Sequence, residues 1–469
     1  MISSDGDRTM MQDADGEAHL RDEEGALRPD FLNAVETALE AGDSARVREL
    51  TLKLHEADLA DLIQLLRPEQ REPLIETLGR DFNAAALSEL DEGVRDQVLE
   101  AMPNEKVAEA LQQLDSDEAV YLIEDLDKED QSDILAKLPS FERAALERSL
   151  EYPEDSAGRI MQTDLVAVPP FWSVGQTIDH MRNAVDLPDR FYEVFVVDPA
   201  YHLIGSVALY RLLRTQRNVN IEAITGHDVH PIAVEADQEE VARLFERYNL
   251  TSAPVVDPDA RLVGVITADD IVEVIQEEAS EDILRMGGVA GESVSDPVWE
   301  TTKHRFIWLF VNLGTAILAS GVISLFDATI EQMVALAVLM PIVASMGGNA
   351  GTQTMTVAVR ALATKDLGPV NAARVIGRET VVGLLNGLLF AVIMGAIAFF
   401  WFGSGQLGLV IGAAMIINLL VAALSGILIP LGLSALDLDP AIASGVFVTM
   451  MTDCVGFFAF LGLAALWLG

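Results

Sequence analysis

Asp453 lies in the middle of an apolar stretch, Ala441 to Leu468, within the run Val448-Thr449-Met450-Met451-Thr452-Asp453-Cys454-Val455-Gly456. The stretch is long enough to cross a bilayer. A carboxylate at its centre is costly, and such residues usually line an ion or proton path. The other reading is a structural acid paired inside a helix bundle, yet no Lys or Arg falls within any apolar stretch to pair with it. A second stretch reads Met340-Pro341-Ile342-Val343-Ala344-Ser345-Met346-Gly347-Gly348-Asn349-Ala350-Gly351-Thr352-Gln353-Thr354. Proline, glycines, amides and hydroxyls predict a broken span, tolerated where it is buried or lines water. Carbonyls and amides there suit a hydrated ion. Close packing of small residues is the alternative, and it fits Gly383/Gly387 and Gly408/Gly412 better. Asn418, mid-stretch in another span, serves an interhelical hydrogen bond as readily as a path.

A row of acids precedes the apolar half. Glu273, Glu277 and Glu281 repeat every fourth residue, and Glu278 and Asp282 form a second such pair, in a segment predicted helical from Asp269 to Ile283. Like charges at this spacing repel by roughly 0.2–0.5 kcal/mol per pair, and no Lys or Arg lies within the segment. A multivalent cation relieves this; a basic partner surface or plain solvation are the alternatives. All-oxygen ligands favour a hard ion over zinc. Scattered carboxylates suit Mg2+, which keeps much of its water, better than a compact calcium loop.

The elements that must position these residues divide by charge. Of 31 basic and 73 acidic residues, six and seven fall after residue 300, leaving a net charge of −41 on the first 300. That acidity argues against nucleic acid as a partner and fits either cation binding or a strongly solvated surface. Five stretches can span a membrane: Phe306–Leu325, Met333–Val359, Val381–Phe402, Leu407–Leu433 and Ala441–Leu468. Lys303 and Arg305 precede the first, and Arg360, Lys365, Arg374 and Arg378 separate the second and third. The positive-inside rule then places the acidic half in the cytoplasm and the C-terminus outside the cell membrane. Residues 1–29 are polar and read as a disordered tail, not a signal peptide. A single cysteine, Cys454, excludes an intrachain disulfide and a Cys-rich metal site. No phosphate loop or nucleophile–base signature supports an enzyme.

Between residues 55 and 150 an apolar residue recurs every twelve positions: Leu66, Leu78, Leu90, Met102, Leu114, Leu126, Leu138, Leu150. Two further columns run Ile63, Ile75, Leu87, Leu99, Leu111, Ile123, Leu135 and Leu62, Leu74, Ala86, Val98, Ala110, Leu122, Ile134, Leu146. Pro and Asp after the first column signal helix starts. Such short helices bury their columns only by stacking, as an α-solenoid of residues 30–152. Residues 153–278 then repeat a strand–helix–strand–strand–helix order, which resembles a pair of CBS domains. The second copy ends Gly264-Val265-Ile266-Thr267-Ala268-Asp269-Asp270. The resemblance implies that Thr267 and Asp270 hold an adenosine ribose, so ATP is a candidate ligand. The first copy has Ala208 and Arg211 at those places, and a purely structural dimerisation module remains the other reading.

The order of parts, with Tyr152-Pro153-Glu154-Asp155-Ser156-Ala157-Gly158-Arg159-Ile160-Met161, Gly347-Gly348-Asn349-Ala350-Gly351-Thr352-Gln353, Arg360-Ala361-Leu362-Ala363 and Asp439-Pro440-Ala441 through Asp453, resembles the MgtE family of magnesium channels. Val446 departs from a proline common there. The resemblance implies a multidomain membrane protein: a helical N domain, tandem α+β CBS domains, an acidic plug-type connecting helix over 279–303 and a five-helix transmembrane domain over 304–469. It implies a homodimer in membrane lipid with a pore lined by the second and fifth spans. Asp453, Asn349, Gln353, Thr352, Gly348 and Thr449 are the path candidates, with Asn418 beside them. It implies closure by intracellular Mg2+ bound to the N and CBS domains and passed on through the connecting helix, for which the row Glu273, Glu277, Glu278, Glu281 and Asp282 supplies the candidate ligands. A CBS-regulated transporter of another divalent cation, or of an organic osmolyte, is the competing function. An osmolyte site calls for an aromatic cage, for which the spans carry few residues.

Overall fold

The computed structural model describes residues 20–22, 25–124, 126–184, 187–188, 190–289, 292, 298–436 and 438–468. Most of the polar tail, and residues 290–291 and 293–297 of the expected connecting helix, lie outside them. The chain forms two compact units, Met1–Glu278 and Ala279–Gly469.

In the first unit the twelve-residue period becomes helices. After α1 (Pro29–Glu40) and α2 (Ser44–Thr51) come α3 (Glu56–Leu65), α4 (Pro68–Leu78), α5 (Glu92–Ala101), α6 (Asn104–Leu111), α7 (Ser116–Ile123), α8 (Lys128–Lys137) and α9 (Ser140–Leu150). The starts keep the twelve-residue step, save that the unit due at residue 80 is two short 3-10 turns, Gly79–Asp81 and Ala84–Leu87. Every member of the second and third columns is buried, including Leu87 and Ala86 of the irregular unit. In the first column Met102, Leu114, Leu126 and Leu150 are only partly buried, at the margin of that core. Each short helix is too small to persist alone, so stacking the columns supplies its stability. Contacts with this core start before the expected boundary at residue 30: Leu27 is buried, and Arg21 pairs with Asp58 and with Asp61.

The duplicated segment folds as read. β1 (Ala167–Val168), α10 (Val174–Asn183), β2 (Glu193–Val197), β3 (Leu203–Ala208) and α11 (Leu209–Arg214) are matched by β4 (Ile232–Ala233), α12 (Gln238–Tyr248), β5 (Ser252–Val256), β6 (Leu262–Thr267) and α13 (Ala268–Met286). Each sheet has the order first–second–third strand, parallel and then antiparallel. Each slips register at the same place, Val196/Val197 and Val255/Val256.

The second unit holds α14 (Val298–Ser324), α15 (Asp327–Gln332), α16 (Ala335–Ala363), α17 (Ala372–Phe402), α18 (Gly405–Ser434) and α19 (Pro440–Leu468). Five of these helices are long and apolar enough to cross a membrane. α18 is the most enclosed. Gly383 and Gly387 of α17 meet Leu419 and Ile416 of α18, and Gly395 meets Gly408, so glycines set this close crossing as expected.

Two expectations are corrected here. α16 is one unbroken helix through Pro341, Gly347, Gly348 and Gly351. Pro341 removes one donor near the helix start, and inside a bilayer the remaining backbone groups have no better partner than their own helix. The connecting helix begins at Ala268 and stops at Met286, not at residue 303. Gly288 takes a φ of +74°, and its N–H and that of Val289 close on the Arg285 and Leu284 carbonyls. This is a Schellman stop, which a left-handed glycine makes possible.

Candidate functional site

The helix α16 shows two faces. Gly347, Gly351, Met355 and Ala358 are buried, whereas Ser345, Asn349, Thr352, Gln353 and Thr356 are exposed. The polar residues recur at three- and four-residue steps, so they form one stripe. Asn349 Nδ2 donates to Ser345 Oγ at 3.4 Å, and Thr356 Oγ1 to the Thr352 carbonyl at 2.9 Å. Gly348 opens beside this stripe: among the described residues a Cβ there would meet nothing within 4 Å.

Gly351 locks the other face onto α19. A Cβ at Gly351 would come within 2.5 Å of Val448 Cγ1 and 3.5 Å of Thr452 Cγ2. Thr452 is fully buried and donates to the Thr449 carbonyl at 3.0 Å. Its neighbour Asp453 is half-buried, and Thr449, one turn earlier, is exposed. The packing of α16 on α19 thus leaves six of the seven path candidates at least partly open. The seventh, Asn418, takes its other reading, the interhelical hydrogen bond. It is fully buried, donates Nδ2 to the Val343 carbonyl at 2.7 Å, and sits against Gly347 and Gly456. It joins three helices rather than facing open space.

In the first unit, α13 carries part of the expected acidic row, and α7 brings acids that the sequence reading had missed. Asp117 is buried, accepts from Gln162 Nε2 at 3.3 Å, and its Oδ1 finds no partner among the described residues. Burial, then Asp270, then Asp115 push its carboxyl well above the usual range. Asp270 and Glu118 are also raised, chiefly by burial. Glu273 is pushed up to about 7 by burial and then by Glu89, Asp270 and Glu277. Glu277 is raised by burial, although Tyr121 donates to it at 3.2 Å; the Tyr121 ring stacks under Arg95 at 4.1 Å. The one available signal was Asp115-Ser116-Asp117-Glu118, which reads equally as an ordinary helix start.

The remaining acids of the row are committed elsewhere. Glu278 accepts from Gln238 Nε2 at 2.7 Å. Glu281 pairs with Arg285. The helix runs one turn beyond the segment read as free of basic residues, which brings that arginine within an i,i+4 step. Asp282 is part-exposed. Among the described residues no three His, Cys, Asp or Glu side chains converge into a ready-made metal cage.

Thr267 lines a small cleft with Gln162, Arg190, Tyr192 and Phe195. Asp270 does not reach it: its carboxylate accepts from the Thr267 N–H at 3.0 Å and Oγ1 at 2.8 Å, capping α13. In this arrangement only the threonine of the expected pair faces the cleft.

Three family models match: "Divalent cation transporter" over residues 340–463, "MgtE intracellular N domain" over 54–155 and "CBS domain" over 221–277. The chain is 32% identical to the magnesium transporter MgtE of Thermus thermophilus over 443 residues, 92% of this chain and 97% of that one. It is 33% identical to that of Enterococcus faecalis over 323 residues, 69% and 71% of the two chains. Among solved structures, the cytosolic domain of the Mg2+ channel MgtE in complex with ATP is 30% identical with a TM-score of 0.48, over 52% of this chain and 99% of that one.

Proposed function

The chain belongs to the MgtE family of magnesium transporters, and from that premise we propose that it admits Mg2+ along a path between α16 and α19 and closes when Mg2+ accumulates inside. The observation that carries the path is Asp453 on α19 beside the exposed polar stripe of α16. A polar stripe and a carboxylate turned toward lipid are costly. Water, or the same face of a second copy, removes that cost, so the working unit is a homodimer with the stripe on its axis. Asn349, Thr352 and Gln353 offer amide and hydroxyl groups to a hydrated ion, and the Asp453 carboxylates supply the charge.

The sensor is the set Asp117, Glu118, Asp270, Glu273 and Glu277. In the compact arrangement these acids crowd one another, Asp117 buried, Glu118 and Asp270 half-buried, and Glu273 and Glu277 at the exposed margin. A cation that binds only that arrangement stabilises it by mass action. Moving a switch from 1:99 to 99:1 takes roughly 5.5 kcal/mol of differential binding, which several weak sites acting together supply. The signal passes along α13. The acidic domains lie in the cytoplasm and the C-terminus outside. ATP is the ligand proposed for the Thr267 cleft, where the exposed Tyr192 offers an adenine surface and Arg190 a phosphate partner.

The test is influx of isotopically labelled magnesium into liposomes carrying the full chain, with internal Mg2+ varied. Influx that falls steeply as internal Mg2+ rises is expected. Influx that ignores internal Mg2+ removes the gating, and no influx at all removes the transport.

A further inference from the structure

The end of α13 is tied to the start of α19 by one side chain. Arg285 Nη1 donates to Asp439 Oδ2 at 2.5 Å, and its Nη2 pairs with Glu281. The other oxygen of Asp439, Oδ1, accepts from the Ala441 N–H at 2.7 Å, so Asp439 also caps α19 ahead of Pro440. About three quarters of each partner is shielded, with side-chain exposures of 30% for Arg285 and 25% for Asp439. The helix ends favour the pair: a cation at the C-terminus of α13 meets an anion at the N-terminus of α19. Next to the bridge, Met286 packs on the cluster of Met355, Val359, Ala441 and Val448. The Met286 carbonyl lies 3.7 Å from where a Cβ on Gly445 would stand. Asp453 is eight residues beyond Gly445, about 12 Å along the same helix.

We propose that Arg285 is a built-in cation of the gate. Its guanidinium holds the acids Glu281 and Asp439 together and seats the end of the connecting helix on α16 and α19 at the mouth of the ion path. Planar, two-sided donation is a property of guanidinium that lysine lacks. The inference rests on the gating reading above and assigns it a positioning residue outside the path.

The experiment measures labelled magnesium influx into liposomes against internal Mg2+ for the full chain and for Arg285→Gln, Arg285→Lys, Asp439→Asn and the Arg285→Gln/Asp439→Asn double variant. Asn caps a helix as well as Asp does, so Asp439→Asn removes the ion pair and keeps the fold of α19. Loss of a charge-assisted bond raises the closing midpoint roughly tenfold or more. Arg285→Gln and Asp439→Asn are expected to show that rise, Arg285→Lys a smaller one, and the double variant no more than the larger single effect. Influx at zero internal Mg2+ stays at the parent level. Midpoints that overlay the parent, or single effects that simply add, overturn the inference while leaving magnesium gating intact. Influx in the parent that ignores internal Mg2+ removes the gating reading and this inference together. If Arg285→Gln is not recovered folded, Asp439→Asn and Arg285→Lys carry the test.

Discussion

Asn418 donates its amide to the Val343 carbonyl at 2.7 Å across 75 residues of chain, and the space it fills exists because residues 347 and 456 are glycine. A Cβ at Gly347 would stand 2.4 Å from Asn418 Nδ2, and one at Gly456 2.9 Å from Oδ1. Gly347→Ala should therefore destabilise the detergent-solubilised protein by about 1–3 kcal/mol. In an Asn418→Ala background the same change should cost much less. Thermal melts of the four combinations check this; strictly additive shifts would mean that the asparagine and glycine do not share a space.

Asp453→Asn keeps the size of the side chain and removes its charge. Uptake should fall roughly tenfold or more, an added barrier of about 1.4 kcal/mol, with the protein still folded and at its parent elution volume. Thr356→Ala, on the same exposed stripe but donating to its own helix, should have a smaller effect. Parent-level uptake by Asp453→Asn would remove the carboxylate from the path.

The acids between α7 and α13 should make compactness depend on pH. Glu273 rises from 4.5 to about 7 in the folded chain, and Asp117, Glu118, Asp270 and Glu277 shift in the same direction. The folded state thus holds more protons than the unfolded one between these values. Stability is present below the unfolded value and is lost as pH rises through the folded one. In magnesium-free buffer, residues 20–278 should resist protease better at pH 5.5 than at pH 8, and millimolar Mg2+ should restore resistance at pH 8. Glu273→Gln should flatten the pH dependence. Potassium at matched ionic strength controls for screening.

The acids of the row should not contribute equally. Glu273→Gln with Glu277→Gln, or Asp117→Asn with Asp270→Asn, should make the dependence of influx on internal Mg2+ shallower. An ion shifts an equilibrium only through its differential affinity for the two states. Glu278→Gln should change the slope little, because Glu278 already accepts from Gln238. Equal effects of Glu273 and Glu278 would assign the sensing to net charge rather than to this interface.

What could be read in advance follows from how local each cause is. The twelve-residue columns were legible because each short helix has one face to bury, and Ile63 through Leu135 and Leu62 through Leu146 are that face. The gap at residue 80 was not, since Leu87 and Ala86 keep the pattern while the backbone between them and Gly79 turns more tightly. Asp453 stands out in the sequence because a charge in an apolar run has few explanations, and the structure leaves it half-buried on α19. Asp117 was not: an acid in the first turn of a helix is ordinary, and its burial depends on Gln162 and Asp270, distant in sequence. The predicted break in α16 failed because helix penalties for Gly and Pro are learned in water, where an unwound backbone can hydrogen-bond solvent.

The polar stripe of α16 has a consequence for how the protein is made. The residues of this stripe also render it the least apolar of the five candidate spans. Its own partition into lipid is therefore the weakest. The contacts that hold it, Gly347 against Asn418 and Gly351 against Val448, are made with segments synthesised later. The stable seating of α16 in the bilayer therefore depends on α18 and α19, which follow it in the chain.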